Sequence, residues 1–162
     1  MGEIQVVFTA GGFLGHLGRV FGLTWTHVAF RFRDFSGEWR VIESSIHGVV
    51  ERDWLSFVGE AFDHRLYEPS SPLSEEQSYS LIGYIWQCVG RPYDYWGFVR
   101  VIWRELRRRW LLSALMARSY ICSGLVYDAF LQIGLDLAPG HADLLILPDE
   151  LLVGSLLVEV AE

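Results

Sequence analysis

The chain has 162 residues, of which 51% are apolar and 20% charged, and this composition suits one folded domain and excludes a disordered protein. Its formal net charge of −7 is against general nucleic-acid binding, because neutralising phosphates needs a basic surface. Two cysteines are too few for a disulfide scaffold, and the absence of lysine excludes a Schiff base or a phosphate-loop lysine.

The first half of the sequence is predicted to be mainly β. Apolar runs and alternating patterns, bounded by glycine and other turn residues, predict buried or half-buried strands. Asp34, Ser36 and Gly37 supply the turn of a hairpin between the second and third strands. The five predicted strands run from Ile4 to Phe8, from Thr26 to Arg33, from Trp39 to Glu43, from Val49 to Val50 and from Arg65 to Tyr67.

The second half changes to a helical period. Ser74 with Gln77 three residues later is a capping-box pattern, and Gly134 is typical of a helix end. The predicted helices run from Ser74 to Gly90, from residue 98 to residue 117 and from Cys122 to Gly134, followed by a short helical start at Pro148 and a strand from Leu156 to Val160. Since no repeat or long linker divides the sequence, residues 1–162 are predicted to form one α+β domain.

The weakly charged stretch from residue 4 to residue 30 is expected to be neither a membrane span nor a secretory signal. Five glycines interrupt it, Arg19 lies within it, and Glu3 stands where a secretory signal has basic residues. We therefore expect cytoplasmic synthesis without a signal peptide, and no transmembrane segment.

Cys122 is the strongest candidate for a nucleophile. It stands at the predicted start of an amphipathic helix, where the helix dipole and unpaired N–H groups favour the thiolate that attacks carbonyl carbon. The alternative is a structural thiol, since free cysteine is among the most buried residue types. Cys88 fits this alternative, because it lies inside the Ser74 helix without a helix terminus or a basic neighbour in sequence.

His27 is the candidate base, and Glu43 is the candidate group that orients it. Alternation along the second strand places His27 on the side opposite to the apolar residues. If the hairpin loop runs from Asp34 to Ser36, the register places Glu43 directly opposite His27, close enough for a carboxylate to orient an imidazole. A slip of one residue would send Glu43 to the other face.

Other arrangements of reactive residues are weaker. Ser45 and His47 lie close enough to Glu43 in the sequence to compete for the orienting role. The absence of asparagine excludes a Cys-His-Asn triad. No His or Cys spacing matches a zinc pattern, and the glycines of residues 11–22 form neither a phosphate nor a dinucleotide loop. We therefore expect no metal and no cofactor.

Four short segments carry a family resemblance. They are T-H-V-A-F at residues 26–30, V-I-E at 41–43, G-R-P-Y at 90–93 and C-S-G-L-V at 122–126. In this order they resemble the NlpC-type cysteine peptidases, a papain-like superfamily, in its circularly permuted branch, where the histidine strands precede the cysteine helix. The resemblance covers most of the chain.

The resemblance implies a papain-like fold with circular permutation, in which an antiparallel sheet packs against helices and the catalytic cysteine begins a helix. It implies Cys122 as nucleophile, His27 as base and then acid, and Glu43 as the third member, a position that varies in the family. Tyr93 is implied to help bind the oxyanion or to position the cysteine loop. The predicted Arg-rich helix of residues 98–117 is an insertion relative to the family.

Relatives mostly cleave amide bonds in bacterial cell-wall peptides, so the resemblance implies a murein endopeptidase or amidase, with a phage particle as one delivery route. A lipid acyltransferase or fatty-amide hydrolase is one alternative, with apolar residues lining an acyl site. A non-enzymatic docking subunit on the same fold is another. The arginines of residues 98–117 indicate a solvated helix face, or a contact with a membrane surface, a wall polymer or an acidic partner protein.

Overall fold

A six-stranded antiparallel sheet forms the centre of the structure, a computed structural model that describes residues 4–10, 24–61, 63–93, 122–140 and 146–161. The strand order is β4-β3-β2-β1-β5-β6. The strands are β1 Ile4–Ala10, β2 His27–Arg33, β3 Trp39–Ser45, β4 Gly48–Asp53, β5 Asp63–Pro69 and β6 Leu157–Val160. The helices of the described residues are α1 Trp54–Val58, α2 Glu75–Cys88, α3 Cys122–Gln132 and a 3₁₀ helix Pro148–Leu152. The α+β prediction is confirmed.

The main core lies between one face of the sheet and helices α2 and α3. Alternate residues of β2 face these helices, and Phe30 stacks on Phe130 with ring centroids 5.9 Å apart. The other face of the sheet carries a smaller apolar cluster around Trp54 and Phe57 of α1. Because both faces are covered, the central strand β2 is buried along most of its length.

The hairpin between β2 and β3 has a longer loop than the sequence predicts. Asp34 accepts hydrogen bonds from the backbone N–H groups of Ser36 and Glu38, so the loop extends to Glu38 and Arg33 pairs with Trp39. The predicted pairing of His27 with Glu43 is therefore wrong by two residues. Glu43 lies opposite Ala29 instead.

The predicted start of α2 and the predicted end of α3 are confirmed. Ser74 and Gln77 exchange both capping-box hydrogen bonds, and Gly134 follows α3 with a φ of 80°. Helix α1 was not predicted, because five residues are too few to show a period; Asp53 caps it through the N–H of Ser56. The predicted helix of residues 98–117 lies outside the described residues.

The six predicted strands are confirmed; four have wider bounds, and β2 and β6 begin one residue later than predicted. β4 continues beyond Val50 through three charged residues to Asp53, which is ordinary for a strand at the edge of a sheet. Among the described residues, we find no helix with the length and apolar character needed to cross a membrane.

Candidate functional site

The first residues of β2 and α3 meet at one end of the sheet. His27 begins β2, Cys122 begins α3, and their side chains are hydrogen-bonded to each other. Helix α3 lies over the apolar face of β2, and the Ser123 hydroxyl donates a hydrogen bond to the carbonyl of Ile146. The helix start that carries the thiol is therefore anchored to a later part of the chain.

Hydrogen-bond donors surround the sulfur of Cys122. The backbone N–H of Ser123, in the first turn of α3, and the backbone N–H of Val28 both donate to it. Cys122 is partly exposed, whereas Cys88 is fully buried in the core between α2 and the sheet, as predicted. A thiol with hydrogen-bond donors at a helix N-terminus has an environment that favours the thiolate.

Glu43 holds the imidazole of His27 from the neighbouring strand. His27 Nε2 lies 2.7 Å from Glu43 Oε2, and the Glu43 side chain is only 6% exposed. The predicted contact is confirmed although the predicted register is wrong. A shift of two residues leaves a side chain on the same face, and glutamate is long enough to reach a diagonal neighbour. Because Glu43 occupies Nε2, Nδ1 is the ring nitrogen that remains for the Cys122 side chain.

The charges at the site stabilise one another. Burial raises the pKa of the Cys122 thiol, but the charge and hydrogen bond of His27 outweigh burial and leave that pKa below its ordinary value. Burial likewise lowers the pKa of His27, but the Cys122 thiolate and the Glu43 carboxylate together raise it well above its ordinary value. These contacts thus favour a thiolate–imidazolium pair over a neutral thiol and imidazole.

Arg52 on β4 joins His27 and Glu43 in a row of three linked charges, the charged row, and the sequence patterns did not predict it. Its Nη1 donates to Glu43 Oε1 at 3.1 Å, so each oxygen of that carboxylate has its own partner. Burial alone raises the pKa of Glu43, but His27 and then Arg52 lower it below the ordinary value. Extending the predicted strand past Val50 would have placed Arg52 on the face of Glu43, since alternate residues share a face.

Phe57 of the short helix α1 lies against the imidazole. Its ring centroid is 6.1 Å from that of His27, and its side chain is almost fully buried. Phe57 belongs to the apolar cluster on the sheet face opposite to α3, so its ring packs on that side of the imidazole. Sequence reasoning could not find Phe57, because α1 itself carries no periodic signal.

Ser45 and His47, the other two candidates for orienting His27, lie at the turn between β3 and β4. Ser45 Oγ accepts a hydrogen bond from the backbone N–H of His47 and lies 3.4 Å from the carbonyl of Gly48, within the turn between β3 and β4. His47 is exposed in the same turn. The carboxylate that contacts His27 therefore comes from Glu43.

Tyr93 is buried in a segment that pairs with the start of β4. The carbonyl of Arg91 accepts a hydrogen bond from the N–H of Val49, and Gly90 donates in return to the carbonyl of Val49. Gly48 has a φ of 97°, and a Cβ there would lie 2.5 Å from the carbonyl oxygen of Arg91, so only glycine permits this approach. The role of Tyr93 at the oxyanion stays a prediction.

Comparison with known proteins bears on the fold. No protein-family model matches the sequence, and none of the curated proteins compared with it matches. Among solved structures, the crystal structure of the metalloprotein yiiX from Escherichia coli O157:H7, described as DUF1105, matches with a TM-score of 0.73 and 13% identity. The match covers 98% of this chain and 95% of that chain. At this identity, the likeness shows a shared fold alone.

Proposed function

We propose that this protein is a cysteine hydrolase of amide or peptide bonds, with Cys122 as nucleophile and His27 as its general base and acid. The observation that carries the proposal is the chain of contacts from the Cys122 sulfur through the His27 ring to Glu43. A nucleophile within hydrogen-bond reach of a base that a third group orients is the arrangement that nucleophilic catalysis requires.

The proposed reaction begins with attack of the Cys122 thiolate on the carbonyl carbon of the substrate. A C–S bond forms, and the carbonyl electrons become an oxyanion, which backbone N–H groups at the start of α3 and Tyr93 are proposed to bind. The His27 imidazolium then gives its proton to the leaving nitrogen, and the C–N bond breaks. The products of this half-reaction are a free amine and a thioester on Cys122.

Water completes the reaction. His27, now neutral, takes a proton from a water molecule, whose oxygen attacks the thioester carbon. The C–S bond breaks, the acid product leaves, and the thiolate and imidazolium are restored. Glu43 keeps the same ring orientation throughout, because its hydrogen bond is to Nε2 while the proton transfers use Nδ1.

The order of the elements supports a circularly permuted papain-like fold as part of this proposal. The antiparallel strands β2 and β3 carry His27 and Glu43, and both strands precede α3, which carries Cys122. Permuted members of the NlpC-type family have this order. The family's usual substrates make bacterial cell-wall peptides the leading substrate class, with delivery by a phage particle as one route.

Metal chemistry is not part of the proposal. The structural neighbour is titled a metalloprotein. In the described part of this chain, however, no three His, Cys, Asp or Glu side chains form a group that could hold a metal ion. Both oxygens of Glu43 already have partners in His27 and Arg52. The donor set of the described residues therefore does not fit a metal, and each proposed step uses only groups of the protein, the substrate and water.

Purified muropeptides and a fatty-acyl amide test the function directly. We expect the wild type and Cys88→Ala to release new amino groups from the muropeptides, and Cys122→Ala to release none. The Cys88 variant is the matched control, because it removes the other thiol from the core. Turnover of the acyl amide alone would favour the alternative function, a fatty-amide hydrolase or lipid acyltransferase. Failure of both substrates with an intact, reactive Cys122 would favour a docking protein on this fold.

A further inference from the structure

Arg52 is held more firmly than an ordinary surface arginine. Its Nη2 donates to Glu60 Oε1 at 2.6 Å and to the carbonyl of Ser56 at 3.3 Å, while Nη1 donates to Glu60 Oε2 at 3.0 Å. This two-point contact with Glu60, just beyond α1, fixes the plane of the guanidinium. Nη1 also donates a hydrogen bond to Glu43 Oε1.

Glu43 needs such a partner because it is a buried carboxylate. Its side chain is 6% exposed, and an isolated charge at that depth would be strongly unfavourable. His27 can bind only one of its two oxygens, Oε2, and Oε1 would otherwise be left without a charged donor. A carboxylate held at one oxygen can rotate about its last torsion angle, whereas one held at both cannot.

We propose that Arg52, fixed by Glu60, is a positioning residue that holds Glu43 in the orientation His27 needs for catalysis. The proposal rests on the proposed hydrolase function. Arg52 touches neither the substrate nor the reacting atoms and acts only through Glu43. Helix α1 takes part as well, because the carbonyl of Ser56 is one of the groups that fix the guanidinium.

The sign of the expected pH effect follows from the charged groups around Glu43. In the described part of the chain these are His27 on β2, Arg52 on β4 and Glu60 beyond α1, with Cys122 on the far side of His27. Removing the Arg52 charge raises the pKa of Glu43 and also disfavours the nearby thiolate. Both effects move the acid limb of Cys122 reactivity to higher pH.

The test compares Arg52→Gln with a matched control on the other face of the same two strands. Arg40 of β3 forms an ion pair with Glu51 of β4 at 2.7 Å, but it does not contact Glu43. The two arginine side chains are similarly exposed, 36% for Arg40 and 26% for Arg52. Arg40→Gln therefore removes one arginine charge, with its ion pairs to Glu51 and, at 3.8 Å, to Asp34, without touching the proposed site.

The first measurement is the rate of Cys122 alkylation by iodoacetamide as a function of pH, in a Cys88→Ala background. For Arg52→Gln we expect the acid midpoint to rise by about half a unit to one unit. We expect Arg52→Lys to raise the midpoint less than Arg52→Gln does. Lysine keeps the positive charge but cannot form the two-point contact with Glu60. Glu60→Gln should give a smaller shift in the same direction, and it leaves the core intact since Glu60 is 69% exposed.

The second measurement is turnover of the muropeptide substrate. A lost orienting group should lower kcat by about tenfold to about a hundredfold, while KM changes little. An equal midpoint in Arg52→Gln and Arg40→Gln would overturn the positioning role while the hydrolase proposal stands. If Arg52→Gln fails to fold, the Lys and Glu60 variants decide by the same criterion.

Failure of the proposed function has a different signature. If Cys122 of the wild type is alkylated no faster than an unperturbed thiol, both the reactive site and the role of Arg52 are contradicted. If Cys122 reacts fast but no substrate turns over, only the hydrolase proposal is contradicted, because alkylation still measures what Arg52 does to the His27–Glu43 pair.

Discussion

The face of the sheet that packs on α2 and α3 is apolar at its centre, whereas the opposite face carries His27, Glu43 and Arg52 on three adjacent strands. The first face is filled by interlocking rings such as Phe30 on Phe130. The second combines a smaller apolar cluster with the linked charges of His27, Glu43 and Arg52. The same strands thus supply the stability of the domain on one side and a polarised site on the other.

Cys122 belongs to both faces. Its helix packs on the apolar face, and its thiol reaches the first residue of β2, where the charged row ends. The position of the sulfur therefore depends on the core, and its ionisation depends on the charged row. We expect substitutions on the apolar face to change stability alone, and substitutions among the charges to change the reactivity of Cys122.

The largest expected effect separates the two cysteines. Cys122→Ala should lower turnover by at least about a thousandfold, because loss of a catalytic nucleophile leaves only binding and oxyanion contacts. Cys88→Ala should keep turnover and lower the free energy of unfolding by about 1 kcal/mol, because it leaves a small cavity in the core. Turnover assays and urea unfolding of both variants measure this. Equal turnover in the two variants would contradict the distinction.

The next effect tests the apolar face. Phe30→Ala removes a fully buried ring and should lower the free energy of unfolding by about 3–5 kcal/mol. In the fraction that stays folded at low temperature, the acid midpoint of Cys122 alkylation should remain that of the wild type, because Phe30 contacts none of the charged row. A large shift of that midpoint would mean that the two faces are not separable.

The charged row predicts a wide window of pH in which the site is active. The acid limb marks protonation of Cys122 and should lie below 9.0, the ordinary pKa of a cysteine thiol. The alkaline limb of turnover marks loss of the His27 proton and should lie above 6.5, the ordinary pKa of histidine. His27→Gln removes the partner that favours the thiolate, so the acid limb should rise by about one to three units. The pH dependence of alkylation and of kcat/KM measures both limbs.

An acid limb at or above 9.0, or an alkaline limb at or below 6.5, would contradict this account. Stability should follow the same charges. Since the pKa of Glu43 is lower in the folded protein, its contribution is present above 4.5, the ordinary value, and is lost as the pH falls through the folded value. Acid unfolding of Glu43→Gln should therefore begin from a lower stability and depend less on pH than that of the wild type.

Much of the fold could be predicted because its signals are local. Strand alternation and the Ser74 capping box depend on neighbouring residues, and both appear in the structure within a few residues of the expected positions. The hairpin register was wrong because it depends on how one side chain, Asp34, hydrogen-bonds within its own loop. Loop length cannot be read from turn propensity alone.

The contact between His27 and Glu43 was predicted correctly, although the strand register from which it was predicted is wrong. Glu43 still meets His27, because an error of two residues preserves the face of a strand. Arg52, Glu60 and Phe57 were missed since they come from the charged end of an edge strand and from a five-residue helix, where no period exists to detect. Their placement depends on packing between elements, which a single sequence does not display.

The smallest expected effect lies at the start of α2, on the apolar side and far from the charges in sequence. Ser74 Oγ accepts a hydrogen bond from the N–H of Gln77, so Ser74→Ala should lower the free energy of unfolding by about 1 kcal/mol. Ser80→Ala is the matched control, because the same change at an exposed position inside α2 should stabilise by a few tenths of a kcal/mol, about the difference in helix propensity.

Neither serine substitution should alter the alkylation of Cys122 at any pH. Helix α2 reaches the site only through the shared core, and a fully folded core presents α3 and β2 in the same positions whether or not the first turn of α2 is capped. A change of opposite sign in the two stabilities, with identical alkylation profiles, would therefore locate the whole effect in the helix. A shifted profile in Ser74→Ala would show that the order of α2 is transmitted to the thiol, and that the apolar face does more than support the sheet.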